Sequence, residues 1–442
     1  MTKTIAPGKV RSVLGKHLLT DGFEVVIDLD KSHGSWLVDA VTGREYLDLF
    51  AMFASMTVGY NHPTLLANRE RLGAAAVNKP TLSDIYSQEF AAFVDTFSQV
   101  GIPDYLPHTF FIEGGGLAVE NALKAAFDWK VRRNLAAGKG EKGSKIIHFA
   151  GCFHGRTGYT MSMTDSPDPR KTLYFPKFDW PRISHPRLRF PCTDDVLADV
   201  EKAENKALDQ IKQACRDYPD DIAALIIEPI QGEGGDNHIR PEFARQLRQV
   251  CDQEEIILIY DEIQTGVGIT GAFWAHEHFG DDARPDIITF GKKSQVCGML
   301  AGPRLDEVDN NVFHESSRIN STFGGNLIDM MRFDLVLQIV RDEKLVAAAH
   351  SQGRYLVEKL EQLAVEFPGF VTEARGQGLF AAFDLPSDVE RDGVLAALYD
   401  NGAIVIGCGE RSVRFRPHLT ISRDEIDLAY DLLVKSVRSC LS

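Results

Sequence analysis

Short runs of uniformly apolar residues alternate with amphipathic stretches between about residues 108 and 290 of the chain. A run that is apolar at every position predicts a strand buried on both faces, as in a parallel sheet covered by helices. The strands predicted in this way are residues 110–112, 146–149, 224–227, 256–260 and 287–290. The pattern therefore predicts an α/β fold with a large, mostly parallel sheet.

The stretch that follows the first of these strands predicts an amphipathic helix. Its apolar residues recur at the i, i+3, i+4, i+7 and i+8 spacing that places them on one helical face. These residues are Val119, Ala122, Leu123, Ala126 and Phe127.

The two ends of the chain follow other patterns. Apolar and polar residues alternate near residues 24–29 and 34–39, which predicts a small antiparallel sheet. Beyond residue 326 we expect helix from about 330 to 363, strands near 378–383 and 403–406, and a last helix near 423–437.

These patterns predict a large domain and a smaller α+β domain. The predicted units are residues 1–65, which contribute to the small domain, residues 66–330, which form the large cofactor-binding domain, and residues 331–442, which complete the small domain.

Charge and composition narrow the classes of partner. The 442 residues carry a formal net charge of −15, which argues against nucleic acid or an anionic membrane surface. The N-terminal residues lack a basic region followed by an apolar run, and no stretch reaches about 18 apolar residues. We therefore expect a cytoplasmic protein.

Cysteines and histidines do not indicate a metal site. The seven cysteines are scattered, and no two have the C-x-x-C spacing of a zinc or redox pair. His276 and His278 lie two positions apart, on different faces of a helix, so we predict surface residues rather than ligands.

Candidate chemistry lies where the predicted strands end, because ligands of open α/β sheets bind beyond the carboxyl ends of the strands. The first strand leads to Gly114, Gly115 and Gly116 at the start of a helix. Glycine backbone and the free N–H groups of a helix start favour a phosphate, although a tight turn alone would also explain the glycines. The second strand leads to Phe153 and Arg156, which could stack a ring and bind a carboxylate, or could be a buried phenylalanine and a surface arginine.

The last three strands deliver charged residues. Glu228 follows the third strand, Asp261 the fourth, and Lys292 the fifth. A buried carboxylate is costly without a cationic partner, although an aspartate there could simply cap the next helix. A lysine held against the apolar sheet edge would have a lowered pKa, as a Schiff-base amine requires.

Together these groups satisfy the needs of pyridoxal 5′-phosphate (PLP). This cofactor requires a lysine for a Schiff base, an acid facing the pyridine nitrogen, a ring-stacking residue and an anion cradle. All four are present at strand ends, whereas each structural alternative explains only one motif. The residues therefore predict a PLP-dependent enzyme.

Two motifs carry a family resemblance. Residues 227–235 (IEPIQGEGG) and 260–266 (YDEIQTG) resemble the most specific motifs of the class III aminotransferases. The resemblance extends over about residues 34–422 and implies the type I fold of PLP-dependent transferases. Residues 119–130, 178–181, 291–298 and 320–326 resemble, more narrowly, the bacterial members that use L-lysine.

The resemblance implies that the ε-amino group of L-lysine passes to 2-oxoglutarate, which gives the 6-semialdehyde (cyclising to piperideine-6-carboxylate) and L-glutamate. It also implies a homodimer that shares its active sites between subunits. Another ω-amine donor, such as ornithine or 4-aminobutyrate, and a non-catalytic PLP-fold binding protein stay open as alternatives.

The resemblance also assigns roles to residues. Lys292, Asp261 and Glu233 are the implied catalytic residues, and Arg156 and Asn320 would bind a substrate carboxylate. The implied cofactor-binding residues are Gly115, Gly116, Phe153, Glu228, Asp261, Gln264, Lys292 and, from the other subunit, Thr322.

Glu233 and Arg414 form an implied switch. One pocket must accept both an amine donor and a dicarboxylate. An arginine that binds the second carboxylate of the dicarboxylate would be an unpaired charge while the donor is bound, and a glutamate that pairs with it in that half-reaction avoids this. A static salt bridge is the alternative, and Arg416 is the other candidate arginine.

Several positions depart from the family pattern, and His418 and Phe53 are two of them. His418 replaces a proline that is common in the class, and Phe53 is bulkier than expected in the segment 52–54 that should line the substrate entrance. Whether these two residues alter the choice of donor stays open.

Overall fold

The computed structural model describes residues 4–81 and 84–441. Within these residues the strands are β1 (Trp36–Val38), β2 (Glu45–Asp48), β3 (His108–Ile112), β4 (Lys145–Phe149), β5 (Arg182–Ile183), β6 (Ile222–Ile227), β7 (Ile230–Gln231), β8 (Asn237–His238), β9 (Ile257–Asp261), β10 (Ile287–Phe290), β11 (Cys297–Ala301), β12 (Thr372–Gln377), β13 (Phe380–Asp384), β14 (Ala403–Ile404), β15 (Ile406–Cys408) and β16 (Ser412–Phe415).

The helical elements of the same residues are α1 (Val10–Leu14), α2 (Ala51–Ala54), α3 (Pro63–Ala67), α4 (Arg69–Asn78), α5 (Gln88–Val100), α6 (Gly115–Ala136), α7 (Gly158–Met163), α8 (Asp194–Asp217), α9 (Pro241–Gln253), α10 (Leu327–Asp342), α11 (Leu345–Glu366), α12 (Asp388–Asn401) and α13 (Arg423–Leu441). Among them, no helix is both long enough and apolar enough to cross a membrane.

The central sheet has seven strands in the order β3-β11-β10-β9-β6-β4-β5. The five predicted apolar runs are its strands β3, β4, β6, β9 and β10, which confirms the α/β prediction. The sheet is parallel except for β11, which lies antiparallel between β3 and β10. Strand β11 was not predicted, and neither was the short edge strand β5.

Both faces of this sheet are buried, as the uniformly apolar runs require. Alternate residues of β6 enter different cores: Ile226 packs with α6, whereas Leu225 packs with the helices of the other face. The predicted apolar face of α6 is buried, except that Phe127 is only partly buried. This double cover leaves the carboxyl edge of the strands as the place for polar groups.

The remaining sheets join the two ends of the chain. Strands β1 and β2 form the predicted antiparallel hairpin, and β2 also pairs in parallel with β14. Residues 24–29 form no strand, and they join the hairpin through the bridge Ile27–Asp39 and a hydrogen bond from the Val26 amide to the Asp39 side chain. A four-stranded antiparallel sheet, β12-β13-β16-β15, packs with α11 and α12. The division into domains at residues 65 and 330 stays a prediction.

The predicted helix 330–363 is two helices. Helix α10 ends at Asp342, and Lys344, with φ 54°, adopts the left-handed conformation before α11 begins. The last predicted helix corresponds to α13.

Candidate active site

The parallel strands β6, β9 and β10 end at one edge of the sheet, and three of the predicted residues lie there. Asp261 is the last residue of β9, Glu228 follows β6, and Lys292 follows β10. Thr289 of β10 is the register partner of Asp261, so the carboxylate lies directly beside β10. Because parallel strands bring their carboxyl ends together, the fold itself assembles these residues.

Asp261 is a buried carboxylate with several donors. Its Oδ2 atom lies 2.7 Å from Nδ1 of His154, and its Oδ1 accepts hydrogen bonds from the Thr289 hydroxyl at 3.0 Å and the Ile263 amide at 3.1 Å. Burial alone would lower the pKa of His154, but the Cys152 sulfur and the Asp261 carboxylate raise that pKa well above its ordinary value. The site therefore contains a buried imidazolium–carboxylate pair.

Lys292 is partly buried and has a strained backbone, with φ 51°. Burial and the neighbouring Arg414 and Arg416 guanidinium groups lower the pKa of Lys292 to about 8. At this pKa roughly one tenth of the amine is unprotonated at pH 7, far more than at the ordinary value of 10.5, and a nucleophilic lysine requires this unprotonated form.

Lys293 is directed elsewhere. Its Nζ donates to the backbone carbonyl of Gln264 at 2.5 Å, and burial and Lys292 hold its pKa well below the ordinary value. Lys293 is therefore tied to the loop after β9.

Glu228 connects two loops of the site. Its Oε1 accepts the Phe153 amide at 2.9 Å, and its Oε2 accepts the Gly232 amide at 3.1 Å. Burial, together with the charge of Asp261, raises the pKa of Glu228 to about 7. Glu228 therefore fixes the backbone that presents Phe153, whose ring is partly exposed.

The start of α6 forms an open group of amides. Gly114 has φ 95°, a conformation that favours glycine, and no side chain caps this helix start. The first N–H groups of α6, at Gly115 and Gly116, are therefore available to an anion.

Glu233 lies between two cations. Its Oε2 is 3.3 Å from Nη2 of Arg414, and its Oε1 contacts Nζ of Lys171. Arg414, on β16, is almost fully buried, and its Nε has no hydrogen-bond partner among the described residues.

Arg416 has a different environment. Its guanidinium pairs with both carboxylate oxygens of Asp236, at 2.9 and 2.6 Å, and donates to the Gln264 side-chain oxygen at 3.0 Å. This arginine is fixed inside the protein, whereas Arg414 has an incompletely paired guanidinium. The geometry favours Arg414 over Arg416 as the arginine that could meet a substrate.

The residues assigned to a substrate carboxylate and to the other subunit lie at the surface of the chain. Arg156, Asn320 and Thr322 are exposed, and Arg156 makes no ion pair with the described residues. The Asn320 amide donates to Asp84 at 3.3 Å. The structure thus brings Lys292, Asp261, Glu228, Glu233 and Arg414 into one region, and it leaves these three at the periphery.

The segment predicted to line the substrate entrance forms a left-handed turn. Residues 51–54, which form α2, have φ angles of 46°, 51°, 58° and 66°. Four successive non-glycine residues in this region are strained, and such strain often accompanies functional sites. The Asp48 carboxylate holds the turn by accepting the amides of Phe50 and Ala51. His418 is buried nearby, and its Nδ1 lies 2.7 Å from the Met56 carbonyl.

Sequence reasoning missed four polar residues of this region: His154, Lys171, Asp236 and Thr289. His154 directly follows Phe153, so its position in that motif was the available signal. The prediction that His276 is a surface residue is wrong, because His276 is buried and its Nδ1 lies 2.9 Å from Glu262.

These residues fit PLP. The uncapped start of α6 offers amides to a phosphate, the Asp261 carboxyl group offers a partner for a protonated pyridine nitrogen, and Phe153 offers a partly exposed ring face. Lys292 offers an amine with a lowered pKa beside them.

Comparisons with known proteins agree with this chemistry. The family model of the aminotransferases of class III matches residues 20–437. The L-lysine-epsilon aminotransferase of Mycobacterium bovis is 49% identical over 98% of this chain and 96% of its own length, and that of Amycolatopsis lactamdurans is 46% identical over 97% and 96%. The solved lysine aminotransferase of M. tuberculosis, in its internal aldimine form, matches with a TM-score of 0.96 and 48% identity, covering 99% of this chain and all of that one.

Proposed function

The chain belongs to the class III aminotransferases, which are PLP-dependent, and from this premise we propose that it transfers the ε-amino group of L-lysine to 2-oxoglutarate. The products are the 6-semialdehyde, which cyclises to piperideine-6-carboxylate, and L-glutamate. The observation that carries the choice of donor is the near full-length similarity to relatives named for lysine.

The residues at the strand ends would hold the cofactor. Bound PLP supplies an aldehyde that attaches amines and a ring that withdraws electrons from the carbon that loses its proton. Lys292 would hold the aldehyde carbon, and Asp261 would face the pyridine nitrogen. The Gly115 and Gly116 amides, Gln264 and Thr322 of the partner subunit would bind the phosphate, and Phe153 would cover the ring while Glu228 supports it.

Lys292 would also move the proton. With a pKa of about 8, its amine can accept a proton from the ε-carbon of the substrate and return it in the reverse direction. The two arginines that lower this pKa, Arg414 and Arg416, therefore help to keep the base unprotonated.

Two carboxylate sites would position the substrates. The exposed Arg156, assisted by Asn320, would bind the α-carboxylate of L-lysine. Glu233 would pair with Arg414 while the donor is bound and would leave it when 2-oxoglutarate brings a second carboxylate. The 3.3 Å contact between Glu233 and Arg414 supports this exchange, because it places the two groups within reach of an ion pair.

The assembly and the location complete the proposal. A homodimer would place Thr322 of each subunit in the other active site, and the enzyme would act in the cytoplasm. One pocket that serves two substrates in turn gives ping-pong kinetics.

An absorbance experiment tests the proposal. L-lysine alone should remove the band of the purified protein near roughly 420 nm and produce one near roughly 330 nm, and 2-oxoglutarate should then restore the first. Ornithine and 4-aminobutyrate serve as comparison donors. If the spectrum changes with either of them and not with L-lysine, the proposed donor is wrong and the responding amine takes its place. A protein that does not bind PLP would contradict the whole proposal.

A further inference from the structure

Glu233 is shared between two cations through its two carboxylate oxygens. Oε2 lies 3.3 Å from Arg414, and Oε1 contacts Lys171. These are the ion pairs of Glu233 among the described residues. The proposed function uses the first pair only, and the second has no role in it.

The proposed exchange at Arg414 creates an electrostatic problem. When a dicarboxylate takes Arg414, the Glu233 carboxylate loses its partner, although its side chain is only 23% exposed. A partly buried carboxylate without a counter-charge is costly, and the new substrate carboxylate nearby repels it. Binding of the oxoacid therefore depends on where Glu233 goes.

We propose that Lys171 is the positioning residue that receives Glu233 when the dicarboxylate displaces it from Arg414. This inference rests on the proposed function and explains how its exchange proceeds at little cost. Because Lys171 already contacts one oxygen of Glu233, the carboxylate can leave Arg414 by a small rotation and keep a full counter-charge.

The surroundings of Lys171 suit this role. Its Nζ also bonds to Ser166 Oγ at 3.0 Å and lies 5.7 Å from the centre of the Phe153 ring. Lys171 thus has a fixed position beside the ring that is assigned to the cofactor. A cavity of about 1290 Å³, lined in part by Glu233 and Ser166, leaves space for the carboxylate to move.

Arg416 cannot replace Lys171 in this role. Both oxygens of Asp236 occupy its guanidinium, and its Nε donates to Gln264. A variant that lacks Lys171 should therefore leave Glu233 on Arg414, where it competes with the incoming dicarboxylate. Binding of L-lysine should change little, because Glu233 stays on Arg414 in that half-reaction.

The first test is a double-mutant cycle in which the affinity for a dicarboxylate is measured. Isothermal titration of the PLP-loaded protein with glutarate, a dicarboxylate that cannot be transaminated, is made on the wild type, Lys171→Met, Glu233→Gln and the double variant. When Glu233 is present, we expect Lys171→Met to weaken glutarate binding about threefold to tenfold. In the Glu233→Gln background, the same substitution should have no effect on glutarate binding.

Two outcomes of this cycle would overturn the inference. Unchanged glutarate binding in Lys171→Met shows that Glu233 does not need this partner. An equal loss in both backgrounds shows that Lys171 contacts the dicarboxylate directly. Lys171→Arg should restore binding, since it keeps the charge, and Lys177→Met is the matched control, because Lys177 is an exposed lysine of the same loop.

The second test separates the half-reactions in a stopped-flow instrument. Lys171→Met should lower the apparent second-order rate constant of the half-reaction with 2-oxoglutarate about threefold to tenfold. The same constant for the half-reaction with L-lysine should stay within about twofold of the wild-type value. Equal losses in both half-reactions would indicate a structural defect and would contradict the inference. If the wild type ignores L-lysine, the proposed donor fails, whereas the glutarate cycle still decides the role of Lys171.

Discussion

The carboxylate of Asp261 and the imidazole of His154 form a buried pair, with 2.7 Å between Oδ2 and Nδ1. The imidazole is fully buried, and its pKa lies well above the ordinary value despite that burial, because Cys152 and Asp261 raise it. The charged imidazole fixes the orientation of the Asp261 carboxylate beside it. An ionised Asp261 is what a protonated pyridine nitrogen would need as partner.

Replacement of His154 should therefore weaken catalysis without removing the lysine chemistry. We expect His154→Gln to lower kcat/KM for L-lysine by about tenfold to a hundredfold, since Asp261 loses a charged donor. Steady-state kinetics and PLP titration of the apoprotein measure the effect. The exposed His33, changed to glutamine, is the control, and equal kinetics of the two variants would show that the pair has no catalytic role.

The two adjacent lysines should behave differently. Reduction of the PLP-loaded protein with borohydride, followed by peptide mass analysis, should place the label on Lys292 and not on Lys293, whose amine bonds to the Gln264 carbonyl. Lys292→Ala should lose turnover altogether, because attachment and proton transfer both need its amine. Lys293→Met should keep measurable turnover, and a label on Lys293 would contradict the assignment.

The buried Arg416 should support the stability of the fold. Arg416→Met leaves the buried Asp236 without its partner, so we expect a loss of about 3 to 5 kcal/mol in the free energy of unfolding. The double change Arg416→Met with Asp236→Leu should recover part of it. Urea unfolding gives these values, and Arg170→Met, at an exposed pair with Asp168, should show no measurable change. A stable Arg416→Met protein would show that this pair does not support the fold.

Local sequence predicted the strands that are buried on both faces. Residues 222–227 of β6 and 257–260 of β9 are apolar at every position, because both faces of these strands are buried. Strand β11 escaped prediction because its antiparallel place between β3 and β10 depends on partners distant in the chain. Gly298 in that strand lies so close to Phe110 that a Cβ atom would come within 2.2 Å of its carbonyl oxygen, and no local pattern reports such a contact.

The residues of the candidate active site also divide into those that local sequence predicted and those that it did not. Asp261 and Lys292 could be predicted because each follows an apolar strand, and strand ends converge in this fold. The ion pairs of His154 and Asp236 could not be predicted from local pattern, because their partners lie 107 and 180 positions away in sequence. His276 was misassigned because two-residue spacing says nothing about Glu262, which binds it inside the protein. Local pattern therefore did not reveal these ion pairs, whereas the Glu233–Arg414 pair, 181 positions apart, was expected from the family resemblance.

The lowered pKa of Lys292 also predicts how stability depends on pH. The folded protein holds this amine at a pKa of about 8, because burial and then Arg414 and Arg416 disfavour its charge, whereas the unfolded chain keeps the ordinary value of 10.5. Between these two pH values the unfolded chain binds more protons than the folded protein. The buried Lys292 therefore lowers the free energy of unfolding by its full amount below about pH 8, and this loss shrinks as the pH rises toward 10.5.

The difference between wild type and Lys292→Met isolates this contribution, because other groups titrate alike in both. In the apoprotein, Lys292→Met should be more stable than the wild type at pH 7.5, and the gap should shrink by about 2 kcal/mol by pH 10. Urea unfolding at several pH values measures the gap. A constant gap would mean that Lys292 keeps an ordinary pKa in the folded protein, and its amine would then be almost completely protonated at neutral pH and unsuited to accept the substrate proton.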